Sequence, residues 1–278
     1  MILSNLKRPQ LSQQIEKISV PSRPIVALIM SVYDHWEYTR DALNSYFSSR
    51  DEAYHYILIL IDDCSYDQTQ DFLVSETQHR DNIVYLRFKD NGGLTRLWNY
   101  GVHYAIHSLH AEYILLANND VLIPSGALRI LVDGLRNTAG PAIIGPLTNC
   151  PGYHEKTQDI RIFLPDYRAS HAIQDIENTS QRISTNPLRV VDGINGFFWG
   201  AHHDVFMNNI LWSWGRSVYY FNPFNRDLHN EREFQRRLFR KGGRSVLASN
   251  AFIFHYKDVS MKRVEAGQIS SKWIYRSV

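Results

Sequence analysis

Four short apolar runs, Ile25 to Met30, Tyr56 to Ile61, Ile83 to Leu86 and Tyr113 to Ala117, recur at roughly 30-residue spacing along the chain. Runs of this length without polar alternation are the pattern of strands buried on both faces. Between the third and fourth runs, Leu94, Leu97, Trp98, Gly101, Val102, Ala105, Ile106 and Leu109 fall on one helical face. Tyr38, Ala42, Leu43, Tyr46 and Phe47 make a similar stripe between the first two runs, and Phe72 to Thr77 a weaker one between the second and third. Strands alternating with helices predict an α/β fold with a mostly parallel, Rossmann-like sheet flanked by helices. Pro21 and Pro24 disfavour helix just before the first run, so a leader over residues 1–22 is expected to precede the main fold.

The 278 residues suffice for two domains or one large α/β unit, and 44% hydrophobic with 21% charged residues is ordinary globular composition. Thirty Lys+Arg against 28 Asp+Glu leave a net charge of +2. That balance excludes nucleic-acid binding by bulk charge, so an anionic ligand has to be held locally. Cys64 and Cys150 show no disulfide framework and no zinc-ligand spacing, which points to a reducing compartment. No apolar stretch has the length of a signal peptide or a membrane span. The expected location is cytoplasmic, with at most peripheral membrane contact.

Ligands of open parallel sheets bind beyond the carboxyl ends of the strands. Here those ends are polar: Ser31-Val32-Tyr33-Asp34 after the first run, Asp62-Asp63-Cys64-Ser65-Tyr66-Asp67 after the second, and Asn118-Asn119-Asp120 after the fourth. Clustered hard oxygens of this kind suit Mg²⁺ or Mn²⁺, and a cation there can hold a diphosphate. Asp90-Asn91-Gly92-Gly93 leads into the strongest helix, where glycines let backbone approach a ligand. A dinucleotide-binding reading lacks its GxGxxG, since Tyr33-Asp34-His35-Trp36 follows the first strand.

Taken in series, these segments resemble the family 2 nucleotide-sugar glycosyltransferases. Ser31-Val32-Tyr33-Asp34 is similar to the family's strand followed by Ser/Thr-x-Tyr-Asn, and Asp62 to Thr69 to its Asp-Asp-x-Ser-x-Asp-x-Thr. Asn91-Gly92-Gly93 with Asn99 and Gly101 resembles its Asn-x-Gly…Asn-x-Gly signature. Asn118-Asn119-Asp120 stands where the family has Asp-x-Asp, with Asn in place of the first acid. Further on, Gly196 to Gly200 looks like the acceptor-side strand, and Asn230 to Arg237 followed by Gly242 resembles the Glu-Asp-x-Asp-x-x-x-Arg helix. His255 with Ser260 is similar to His-x-x-x-x-Ser.

The resemblance covers roughly Ile25 to Ser260 and implies a GT-A fold. It divides the chain into a nucleotide-sugar half (23–146), a loop-rich acceptor and catalytic half (147–260) and a tail (261–278). It implies an inverting, metal-dependent transfer from a nucleoside-diphosphate sugar to a hydroxyl of a glycan, lipid-linked or other acceptor, with Mn²⁺ or Mg²⁺ as cofactor. The donor set it implies is Ser31, Tyr33, Asp63, Asn91, Gly92, Asn99, Asn118, Asn119 and Asp120, with Asp120 and His255 on the metal. Gly196, Trp199, Glu233 and Arg237 fall on the acceptor side. Glu231 takes the position of the general base, and on a helix over 230–241 it shares the face of Phe234 and Leu238. Glu233 and Asp227 are the alternative bases. His202 and His203 have no ligand partner at zinc spacing and read as structural or acceptor-side. Two other functions fit the same pattern, a catalytically silent nucleotide-sugar-binding module and a nucleotidyltransferase, although the latter's Gly- and Lys/Arg-rich loop after the first strand is missing.

Overall fold

The computed structural model describes residues 23–152, 156–214, 217–227 and 229–256. The expected leader, the C-terminal tail and Ser260 lie outside the described residues. The apolar runs form β1 (Ile25–Val32), β2 (His55–Asp62), β3 (Ile83–Arg87) and β4 (Tyr113–Asn118), joined by α1 (Trp36–Ser49), α2 (Thr69–His79) and α3 (Leu94–His107). There follow β5 (Val121–Leu122), α4 (Ala127–Asn137), β6 (Ala142–Leu147), α5 (Ile173–Ile183), β7 (Leu188–Val191), β8 (Phe198–His202) and α6 (His203–Asn208). The chain continues through β9 (Trp212–Trp214), β10 (Ser217–Tyr219), α7 (Asn230–Arg240), β11 (Arg244–Phe252) and β12 (Phe254–His255).

One eight-stranded sheet runs in the order β3-β2-β1-β4-β8-β6-β11-β7. β8 is antiparallel to both its neighbours and β7 is antiparallel to β11, while the remaining pairs are parallel. The expected boundary at 146/147 therefore runs through a continuous sheet, because β8 lies between β4 and β6. Successive side chains of β1 feed opposite cores: Ala27 and Ile29 join the α3 side, Val26, Leu28 and Met30 the side of α1 and α4. This two-sided burial is why the sequence shows apolar runs in place of alternation.

α2 begins three residues before the expected apolar stripe. The Asp67 carboxylate accepts the Thr69 amide at 2.9 Å and fixes the helix start there. The segment after residue 147 is less irregular than its prolines suggest: α5 packs on β11 through Ile176 and Ile183.

α3 lies close against β1 and β2 because residue 101 has no side chain. A Cβ there would sit 2.7 Å from Ile29 Cγ2 and 2.9 Å from Ile61 Cδ1, inside van der Waals contact. Gly101→Val is expected to lower stability by about 1–3 kcal/mol through overpacking, read as a drop in the urea midpoint with an unchanged m-value.

Candidate functional site

The strand register sets the site. Ser31 is level with Asn118 across β1 and β4, and Val32 with Asp62 across β1 and β2, so the polar strand ends form one row along the carboxyl edge of the sheet.

The two acids at the end of β2 have different environments. Asp62 is fully buried; its carboxylate accepts the Ser65 amide at 2.8 Å, the Ser65 hydroxyl at 2.7 Å and the Tyr85 hydroxyl at 3.0 Å, and is ion-paired with Arg87. Burial, and then the Asp62 charge, push the Tyr85 phenol above its ordinary range. Asp62 is thus spent on structure. Asp63 reaches the next strand's loop: it accepts the amides of Gly92 at 2.9 Å and Gly93 at 2.7 Å, and Arg96 Nη2 at 2.8 Å. An ionised carboxylate has about four acceptor positions, so three of them fasten the 90–93 loop and one is left. Arg96, absent from the sequence reading, also lies 4.1 Å over the Phe88 ring. Its signal was faint: a single Arg in the first turn of a helix that stands out for its apolar face. Asn91 is held by Arg226, and Gly93 adopts a positive φ of 84°.

The β1 loop is tied to the β2 loop. The Asp34 amide donates to Ser65 Oγ at 2.8 Å, and the Tyr66 amide to Asp34 Oδ1 at 2.7 Å. Tyr33 is half-buried beside these groups; burial first, then the charges of Asp34 and Asp63, push its phenol up to about 12, so it remains a neutral hydrogen-bond donor at neutral pH. Ser31 Oγ is buried with no partner among the described residues.

Asp120 and His255 come together from distant parts of the chain. β12 pairs with β5, His255 opposite Val121, and the Tyr256 amide donates to the Asp120 carbonyl at 3.0 Å. His255 Nε2 lies 3.3 Å from Asp120 Oδ1, and its ring stacks on Phe197 with centroids 4.8 Å apart. Asn149 grips the backbone of His255 on both sides, accepting its amide at 2.8 Å and donating to its carbonyl at 3.0 Å. Asn149 was missed in the sequence although it stands two residues beyond β6, as Asp120 does beyond β4. Both Asp120 and His255 are buried, and His255 Nδ1 has no hydrogen-bond partner among the described residues. A buried carboxylate and a buried imidazole 3.3 Å apart at a polar strand edge fit a divalent cation. Asn118 ends β4 beside them, half-buried, its amide donating to the Phe197 carbonyl at 2.9 Å.

Other expected members lie elsewhere. Asn119 turns back under α1, donating to Thr39 Oγ1 at 2.9 Å. Asn99 is a staple: its carbonyl oxygen accepts the amides of Tyr220 at 2.7 Å and Phe221 at 2.9 Å, and its amide donates to the Phe221 carbonyl. Trp199 is buried among Trp98, Phe206, Phe221 and Phe234. Its ring is in the core and not on the strand edge, because β8 is covered on both faces. Arg237 donates to the carbonyls of Asn209 and Tyr220 and forms a two-pronged ion pair with Glu233, at 2.6 and 2.9 Å.

Three acids near the start of α7 are therefore distinguishable. Glu233 is committed to Arg237. Asp227 accepts the Leu94 amide at 3.0 Å and so closes the start of α3; burial raises its carboxyl above the usual range. Glu231 lies against Gly196: a Cβ at 196 would come within 3.1 Å of its Cδ and Oε2. The helix carries Glu231 inward with Phe234 and Leu238, while Arg236 and Arg240 are exposed.

The family model for glycosyl transferase family 2 matches residues 27–186, more than half of the chain. The chain belongs to glycosyl transferase family 2. Its fold is that of the GT-A glycosyltransferases. It superposes on the crystal structure of GalNAc-T7 with UDP, GalNAc and Mn²⁺ at a TM-score of 0.61 and 12% identity, over 84% of this chain and 44% of that one. The mannosyltransferase PcManGT from Pyrobaculum calidifontis, in complex with GDP-Man and Mn²⁺, gives 0.58 at 11% identity, over 95% and 65%. S. aureus TarS 1–349 in complex with UDP gives 0.53 at 13% identity, over 82% and 59%. The chain thus spans roughly half to two thirds of the length of these structures. No curated protein matches the sequence.

The geometry separates the two acids of β2 by experiment. Asp62→Ala, which strands Arg87 and removes four bonds to a buried carboxylate, is expected to cost about 3–5 kcal/mol, read as a large fall in Tm. Asp63→Ala is expected to leave more of the fold intact and to release the 90–93 loop, seen as faster amide exchange at Gly92 and Gly93.

Proposed function

We propose that this chain transfers a sugar, with inversion at the anomeric carbon, from a nucleoside-diphosphate sugar to an acceptor hydroxyl, in a divalent-metal-dependent reaction. The observation that carries the reading is the meeting of Asp120 and His255 on the strand edge where Gly196 and Glu231 also meet. Family membership and the nucleotide complexes of the similar structures support it. Ser31, Tyr33, Asp63, Asn91 and Gly92 line or frame the nucleotide subsite, Tyr33 and the remaining acceptor position of Asp63 addressing the base. Asp120, His255 and Asn118 hold Mn²⁺ or Mg²⁺, which when bound offsets the charge that builds on the departing diphosphate. The acceptor side begins at Gly196. Residues 23–146 carry most of the donor subsite and 147–260 the acceptor subsite.

Glu231 accepts the proton of the acceptor hydroxyl as its oxygen bonds to the anomeric carbon and the bond to the diphosphate breaks. Its carboxyl rests on Gly196, whose missing side chain leaves the space that positions it. The protein acts in the cytoplasm, with any membrane contact peripheral; among the described residues no helix is long and apolar enough to cross a membrane. The acceptor is a glycan, a lipid-linked sugar or another hydroxyl compound.

A panel of nucleotide sugars with Mn²⁺, assayed by thermal shift and by product formation, tests the donor reading. One donor is expected to raise Tm in a manner that needs Asp120, by mass action on the native state. Donor binding without transfer to any acceptor, or to water, would support the silent binding module, which Asn118 in place of an acid favours. Glu231→Gln is expected to lower turnover by ~10²-fold or more with donor affinity unchanged. Near-normal turnover in this variant would pass the role to Glu233 or Asp227, tested as Glu233→Gln and Asp227→Asn. Gly196→Ala, which crowds the Glu231 carboxyl without backbone strain, is expected to lower turnover while Tm changes little.

A further inference from the structure

We propose that His202, His203 and Asp204 form a second metal site, of zinc type, at the edge of the sheet opposite the donor subsite. β8 runs antiparallel to β4, with Ala117 paired to Phe198 and Tyr113 to His202. At about 3.3 Å per residue, the strand carries His202 about 16 Å from the level of Phe197 and His255. The two sites therefore share no ligand, and the pair of histidines that the sequence left without a partner lies away from the acceptor edge.

The spacing of the donor atoms fits the ion. Asp204 Oδ1 lies 3.1 Å from His203 Nε2, and Asp204 Oδ2 lies 3.4 Å from His202 Nδ1. The ligand atoms of all three residues fall within 4.8 Å of one another. Tetrahedral zinc with donors at about 2.0–2.2 Å holds them about 3.4 Å apart. Each imidazole already has an Asp204 oxygen at about this distance, Oδ1 for His203 and Oδ2 for His202.

The Asp204 amide donates to His202 Nδ1 at 3.2 Å, which makes this nitrogen an acceptor with the Asp204 carboxylate 3.4 Å away. A cation bound at Nδ1 takes over the lone pair that the amide holds in the metal-free chain and offsets the repulsion between nitrogen and carboxylate. The surroundings fix the rings: His202 meets Tyr113 edge-on with centroids 5.4 Å apart, and the His203 amide donates to the Glu112 carbonyl at 2.9 Å. The Asp204 side chain is 64% exposed, which gives an ion a way in and lets water complete its shell.

Two imidazoles and one carboxylate favour Zn²⁺ or Co²⁺ over Mn²⁺ and Mg²⁺, the reverse of an oxygen-rich site completed by phosphate. Bound there, the ion would tie the last residue of β8 to the first turn of α6.

Titration of the full chain with Co²⁺ and with Zn²⁺, without nucleotide, tests the site. The expected result is one equivalent taken up, the visible absorption of tetrahedral Co²⁺ displaced by Zn²⁺, and a higher Tm in Zn²⁺. The His202→Ala/His203→Ala double variant and Asp204→Asn are expected to lose the absorption and the Tm rise, while Asp120→Ala keeps both. Circular dichroism verifies that each variant is folded, and Asp204→Asn, on an exposed side chain, provides the test if the double variant is not. Absence of saturable uptake by the wild type overturns the proposal. So does uptake that survives in folded Asp204→Asn or the double variant, or that disappears in Asp120→Ala.

Discussion

The reversal of one strand organises the molecule. Were β8 parallel to β4, its first residues would emerge at the opposite edge of the sheet, away from Asn118 and Asp120. Because it runs the other way, Gly196 and Phe197 arrive beside the carboxyl end of β4. Phe197 then supports the His255 ring, and Gly196 receives the Glu231 carboxyl. Asp120 and His255 lie near Gly196 and Glu231 because neighbouring strands present opposite ends to the same edge. Gly200 allows this packing in the sheet's centre, where a Cβ would fall 2.7 Å from the Ile114 carbonyl oxygen.

Around this edge the polar groups divide their labour. Asp62, Asn99, Asn119 and Asn149 have their hydrogen bonds within the protein and hold loops in place. Ser31 and His255 each retain a buried polar atom without a partner among the described residues. Such atoms are costly when left unpaired, and these two lie on the edge that the polar strand ends form. The fixed groups supply rigidity, and the underpaired ones are where a ligand gains most.

Much of this was legible in the sequence. Two-sided burial makes β1 to β4 visible as apolar runs, and the polar residues after each run mark the edge without any structure. Asp120 and His255 both follow strands, which is why they stand out. Trp199 was harder to place, since a strand covered on both faces gives no alternation to tell which side chain meets a ligand. Asn99 looks like a ligand residue because its partners, Tyr220 and Phe221, lie more than a hundred residues further on. The direction of β8 was hidden for a similar reason: it depends on how the intervening segment crosses the molecule, which no local pattern encodes.

The place of β8 in the sheet has a consequence for biosynthesis. β4 leaves the ribosome with β1 available on one side, but its other neighbour ends at His202, 84 residues after Asn118. At about 5–20 residues per second, that edge of β4 stays bare for about 4–17 s. A strand as apolar as Tyr-Ile-Leu-Leu-Ala is a template for unwanted pairing while it waits. Yield in the cell should therefore depend on chaperone supply and translation speed between these two strands more than on the stability of the finished protein.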